Sequence, residues 1–310
     1  AHQYSDEFHN VSILDKDAVL QLAQELNIDG ILSFGVDPGV VTAAYVAEKM
    51  GLSFQCSYDA ACILQDKSRF RQFLKDNNFN VPNAKGYSSK EEALADTAYY
   101  NWPVIVKPVD SAGSKGVTRV DELGQLSSAI DYALSESHNG HFIIEDFLEK
   151  EGNSSDCDSF TVDGELVFCS FNDQHFDPKA INPYTPAAFS WPSTMPQWAQ
   201  EELRSELQRL MTLLNVKTGV YNIETRLCKN GKPYIMELSP RGGGNRLSEM
   251  MKYISGQDLI DNCVCAAVGD PIDEIHQPVY EGYWAEIILH SERDGVFQSI
   301  EIDKTVEERF

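Results

Sequence analysis

The chain has 310 residues, 42% hydrophobic and 24% charged, enough for two or three packed units with a sizeable core. Lys and Arg number 25 against 48 Asp and Glu, and the net charge of -23 repels phosphate backbones and anionic membranes, so neither nucleic acid nor membrane is an expected partner. A small anionic ligand stays compatible if the few cations are gathered in one place.

The seven cysteines are odd in number and scattered, with no CxxC pair and no His at zinc-like spacing, and read as reduced, buried thiols. With no apolar run near 18 residues and no charged-then-apolar leader, a cytoplasmic protein is expected.

Asp15 precedes the helical period Ala18, Val19, Leu22, Ala23, Leu26 and serves as an N-cap. Gly30 to Phe34 reads as a buried strand, and a second helix runs from about Val40 to Met50, ending at Gly51. This is half of a parallel α/β layer; Tyr4 to Phe8 fall where another strand would stand, and an N-terminal strand and helix are expected to be missing. Asp66 to Asn77 is a helix with Phe70, Phe73 and Leu74 on one face. Pro103 to Lys107 is a strand, followed by a glycine-rich loop to Gly116, a second strand and a helix from Leu123 to Leu134. Phe142 to Leu148 is another strand, and Ser159 to Phe171 a hairpin about Asp163-Gly164. Residues 172–198, with five prolines, read as an irregular excursion of the kind that forms lids, and Glu201 to Leu214 as an amphipathic helix.

The most informative segment runs from Gly219 to Gly244. Asn230-Gly231 predicts a two-residue type I′ turn, and Glu224 lies six residues before Asn230 while Glu237 lies six after Gly231. The two glutamates therefore face each other across the strands. Tyr221, Ile223, Leu227, Tyr234, Met236 and Leu238 form the core face; Asn222, Glu224, Arg226, Glu237 and Ser239 form the other. Opposed carboxylates repel unless a cation lies between them, and this oxygen-rich set suits Mg2+. The competing reading is a surface network in which Arg226 pairs with both. Arg241 and Gly242 to Gly244, just past the strand, suit a close approach to phosphate. Lys107 ends its strand beside the loop Asp110 to Gly116, whose Gly, Ser and Lys can close over phosphates without matching the P-loop spacing, or can equally form a plain hairpin loop with a solvated Lys.

Together these segments resemble the ATP-grasp superfamily over nearly the whole chain. The resemblance implies an α/β protein with α+β lobes: a partial Rossmann-like layer at 1–65, a linker helix and small lid lobe at 66–141, a large lobe at 142–270 and a C-terminal extension at 271–310. It implies ATP and Mg2+, with Lys67 and Lys107 on the phosphates and Ser114, Lys115 and Gly116 in the covering loop. Glu145, Asp146, Phe147 and Leu148 would form the adenine hinge, Glu224 and Glu237 would carry the metal, and Arg241 would steady the transferred group.

The chain departs from the family's usual E-x-N-P-R pattern in having Ser239 at the Asn position, which leaves Asn222 as a substitute amide. Glu149, Glu151 and Asp158 stand as alternatives for the ribose. The implied reaction joins a small-molecule carboxylate to an amine through an acyl phosphate, with His175 as a base or simply a surface His, and a homodimer as the prior on assembly. Two rivals remain: a bicarbonate-phosphorylating relative and a silent ATP-binding protein.

Overall fold

The computed structural model describes residues 5–111, 113–180, 182–289 and 295–307. Asp15 caps α1 (Lys16–Leu26), accepting from the Ala18 amide at 3.1 Å, and α2 (Val40–Met50) stops where Gly51 turns left-handed at φ 70°. The helices α3 (Tyr58–Gln65) and α4 (Lys67–Asp76) follow, capped by Ser57 and Asp66.

The strand expected at 30–34 does not form. Among the described residues no strand runs beside it, and a buried strand exists only through its neighbours' ladder. Its apolar side chains are used regardless, Leu32 and Phe34 packing against the core that contains Phe160, Val220 and Leu247. Ser5 to Phe8 form no strand either, and Tyr4 lies outside the described residues. The N-terminal layer is thus helical, without a sheet of its own among the described residues.

The small lobe is an antiparallel sheet in the order β1-β4-β2-β3, built from β1 (Ala84–Tyr87), β2 (Val104–Pro108), β3 (Thr118–Val120) and β4 (Phe142–Asp146). One face buries Tyr87, Val104, Val106, Phe142 and Ile144 beneath α5 (Lys90–Ala95) and α6 (Leu123–Ser135). By the two-residue alternation the other face carries Ile105, Lys107, Ile143 and Glu145, with α4 laid against part of it.

The large sheet, β10-β9-β5-β6, comprises β5 (Ser155–Val162), β6 (Glu165–Cys169), β9 (Gly219–Leu227) and β10 (Pro233–Ser239). Asp163 and Gly164 join β5 to β6 with φ of 50° and 85°, the positive pair that a type I′ turn needs. The helix α7 (Gln197–Leu213) seals one side with Leu203, Leu207, Leu210 and Met211 against Ile223, Ile235 and Leu238. On the other side α8 (Leu247–Ser255) and α9 (Leu259–Val268) cover Phe160 and Val220.

Residues 172–198 are more regular than their prolines suggest. They contain β7 (Asp173–Phe176) and β8 (Pro186–Trp191), which join β11 (Trp284–Ile287) in a third sheet ordered β11-β8-β7. Pro186 is the first residue of its strand, a position where the missing N–H does not break the ladder.

Candidate functional site

Glu224 and Glu237 do face each other across β9 and β10, but through a path the two-residue turn does not provide. Cys228 pairs with Lys232 around a three-residue loop in which Gly231 alone is left-handed, at φ 75°. This slips the register by one, so Pro233 lies opposite Leu227. A bulge between Ile235 and Glu237 then restores it, bringing Glu237 to Glu224, Leu238 to Ile223 and Ser239 to Asn222. In consequence Ile235, not Met236, faces the core.

On the exposed face the row continues onto β5, where Asp156 lies opposite Glu224 and Asp158 opposite Asn222. Burial, with the Glu224 charge second, pushes the Asp156 carboxyl up to about 7. Asp158 is also raised, chiefly by burial, against bonds from Ser248 and from the Gly243 amide at 2.7 Å. The Asn222 amide donates to Asp156 at 2.8 Å and to Asp158 at 3.3 Å. Among the described residues Arg226 pairs with Glu224 (3.2 Å) and Glu237 meets Lys67 at 3.6 Å, so the competing reading, in which Arg226 bridges both glutamates, is not what forms.

The opposing wall comes from the small lobe and α4. Lys107 reaches Glu145 at 2.5 Å and Arg71 reaches its second oxygen at 2.9 Å; Arg71 also donates to the Met236 carbonyl at 2.8 Å. Burial opposes ionisation of Glu145, yet the two cations prevail and hold its carboxyl at about 2. Glu145 thus holds cations together and does not itself line an open surface. Lys67 donates to the Ser111 carbonyl at 3.0 Å, which ties the glycine loop to Glu237.

Along the hinge, the Asp146 amide donates to Asn83 and the Phe147 amide to Pro103, both at 2.9 Å. The Leu148 carbonyl accepts from Arg226, and the Arg119 guanidinium sits 4.3 Å above the Phe147 ring. In the glycine loop Gly113, Ser114 and Gly116 are left-handed, Gly116 is wedged between Pro108 and Glu136, and Lys115 is exposed. Ser114 donates to the Tyr184 carbonyl at 3.2 Å. His175 bonds Ser190 of the neighbouring strand at 2.9 Å. Glu149 pairs with Lys229, Glu151 is exposed and Asp158 is fully engaged, so the three ribose alternatives are not equivalent.

Beyond β10 the loop Pro240 to Gly244 is held by the N-terminal helical layer. Arg241 makes a two-pronged pair with Asp37, Nε and Nη2 each at 2.7 Å.

Residues 100–249 match the model of the ATP-grasp domain family. The chain is thus similar to the ATP-grasp domain family over just under half of its length. It is 25% identical over 218 residues to the C-terminal section of the carbamoyl phosphate synthase large chain of Aquifex aeolicus, covering 70% of this chain and 39% of that protein. The chain therefore spans about two fifths of that relative's length. The L-amino acid ligase of Bacillus licheniformis superposes with a TM-score of 0.75 at 21% identity, over 95% of this chain and 70% of that one. The biotin carboxylase domain of a 2-oxoglutarate carboxylase from Hydrogenobacter thermophilus, solved with MgADP and bicarbonate, gives 0.72 at 17%, over 92% and 65%. At these identities the structural likenesses establish the ATP-grasp fold.

The donor set fits a hard divalent ion. Glu224 and Glu237 are half-buried and oxygen-only, Glu224 meeting Arg226 and Glu237 meeting Lys67, and Asp156, raised chiefly by burial and then by Glu224, adds a further carboxyl to the same face. Among the described residues no three His, Cys, Asp or Glu side chains converge as a metal cage. No described helix is long and apolar enough to cross a membrane.

Sequence reasoning overlooked Asp37, Arg71 and Asp156. Arg71 had a signal, since it stands four residues after Lys67 on the same helical face. Asp156 and Asp158 alternate on one strand face, but only the β5–β9 pairing sets them beside Glu224.

Proposed function

We propose that the chain is an ATP-dependent, ADP-forming ligase that activates a small carboxylate as an acyl phosphate and couples it to an amine. One observation carries the reading: Glu224 and Glu237 are opposed in register, with Lys67 reaching Glu237 and Arg241 immediately past the strand. A structural sheet has no use for two opposed carboxylates, whereas MgATP bound there would make them ligands.

ATP would lie between the exposed face of the large sheet and the Lys107 face of the small lobe, its adenine against residues 145–148 and its phosphates toward Lys67 and Lys107. Glu224 and Glu237 would hold Mg2+, which offsets charge on the phosphates. The acid's carboxylate oxygen attacks the γ-phosphorus and the bond to the bridging oxygen of ADP breaks. The amine then attacks the acyl carbon, inorganic phosphate leaves, and the amine's proton passes to solvent or a nearby base. Arg241, Lys67 and Lys115 offset charge on the group in transit, and the glycine loop limits water while the acyl phosphate survives.

The carbamoyl phosphate synthase relatives and the bicarbonate-bound neighbour give a second reading in which bicarbonate is the acid phosphorylated. Both are separated by ADP release from MgATP across carboxylic acids, bicarbonate included, with and without amines, beside Glu237→Gln. Stimulation by one organic acid and further by an amine, with a silent variant, supports the ligase; bicarbonate alone supports the second reading. Binding of ATP with no release by any acid would leave only a nucleotide-binding protein.

A further inference from the structure

We propose that position 239 serves Arg241 and not a metal ion, and that Asp37, from the N-terminal helical layer, is the positioning residue that sets the guanidinium toward substrate. The arginine's task rests on the ligase reading; its fixation rests on geometry alone.

Gln65 at the end of α3 donates to Ser239 Oγ at 2.8 Å, and Ser239 donates to Asp37 Oδ1 at 2.8 Å. Asp37 in turn grips Arg241 through both oxygens, and the third guanidinium nitrogen donates to the Gly242 carbonyl at 2.9 Å. A guanidinium has five N–H groups, so one remains on each terminal nitrogen for a substrate oxygen. The side chains of Arg241 and Asp37 are 12% and 18% exposed, and Ser239 is 1% exposed, so the serine oxygen is spent inside this chain of bonds and has no open face toward the cleft.

Burial works against the Asp37 charge, but Arg241 outweighs it and the carboxyl is held below its usual range. The same layer fixes the loop at two further points: Gln55 donates to the Pro240 carbonyl, and the Phe34 ring occupies the space where Gly242 would carry a Cβ. Residues 34, 37, 55 and 65 therefore act on four consecutive positions, 239 to 242. The family's Asn is replaced here by a shorter donor that reaches Asp37, which gives the departure a cause.

The test uses the full chain and the variants Asp37→Asn and Ser239→Ala. Three readings are taken: ADP release with saturating acid and amine, the Mg2+ needed for half-maximal ADP binding by calorimetry, and the Arg241 Nε–H resonance, assigned by its loss in Arg241→Lys. We expect Asp37→Asn to lower kcat about 100-fold, as expected for a misplaced catalytic group, with KM for ATP within about twofold. Ser239→Ala should cost about 5- to 10-fold, less because Arg241 keeps its carboxylate. Both should leave the Mg2+ requirement unchanged and speed exchange of the Arg241 proton.

A tenfold rise in the Mg2+ requirement of Ser239→Ala would make Ser239 a metal ligand and overturn the proposal. So would an Arg241 resonance indifferent to both substitutions. That resonance needs no turnover, so a wild-type chain that releases no ADP refutes the ligase reading while the fixation of Arg241 is still decided.

Discussion

Glu145 is 3% exposed between Lys107 and Arg71, and the triad shows how a buried charge is tolerated: it accepts one bond from each cation and leaves neither unpaired. Glu145→Gln should cost about 3 to 5 kcal/mol, because two buried cations then face each other without a counter-ion. The folded carboxyl is depressed from 4.5 to about 2, so its contribution is complete above pH 4.5 and fades as pH falls toward 2. Melting temperatures across that window should fall more steeply for the wild type than for the variant. Asp156 has the opposite sign. Its carboxyl is raised from 3.8 to about 7 by burial and then by Glu224, so the folded chain is penalised progressively as pH rises between those values. Asp156→Asn should therefore stabilise the ligand-free protein at pH 8 by about 1 to 3 kcal/mol, with the gain vanishing near pH 4. Added Mg2+ should raise the melting temperature of the wild type more than that of this variant, because the ion offsets the same charge; equal shifts would separate Asp156 from the metal's field. At this scale sequence reveals residue type but not environment. Glu224 and Glu237 were legible because a turn lay midway between them, whereas Asp156 required knowledge of which strand pairs with which.

Among the elements, the hairpin of β9 and β10 was readable for a reason partly accidental. The Asn-Gly pair correctly marked a turn, yet its extra loop residue and the later bulge each shift the register, in opposite senses, so they cancel at Glu237 and not at Met236. The strand at 30–34 failed for a different reason: apolar residues in a run qualify for a strand, but pairing depends on a neighbour that the run cannot specify. The reverse happened at 172–198, where prolines signal irregularity while the backbone between them pairs into β7 and β8. What segment 30–37 does instead is clamp the loop after β10, and this is measurable. Gly242→Ala places a methyl in the Phe34 ring and should destabilise by about 1 to 3 kcal/mol, as overpacking does. Phe34→Ala should remove most of that cost, so the double variant would be less destabilised than the sum of the singles. Strict additivity would mean that the ring and the glycine do not meet in solution.

Taken whole, the molecule carries a net charge of -23, yet Lys67, Arg71, Lys107, Arg226 and Arg241 are gathered where the large sheet, the small lobe and the N-terminal layer meet. Each is matched by a carboxylate, Lys67 by Glu237, Arg71 and Lys107 by Glu145, Arg226 by Glu224 and Arg241 by Asp37, so the cluster is an ion-pair network within an acidic protein. The third sheet belongs to the same arrangement, because the segment between β7 and β8 meets the glycine loop at the Ser114 to Tyr184 bond. If the loop closes over bound phosphates, Tyr184 is where its movement is felt by the C-terminal half of the molecule. Amide hydrogen exchange with and without MgATP examines this directly. The peptides covering 110–116 and 182–186 should slow together on nucleotide addition, and Ser114→Ala should weaken the protection of the second while largely preserving that of the first, since the phosphates still hold the loop. Slowing at 110–116 alone would confine closure to the small lobe and leave the third sheet a static wall of the site.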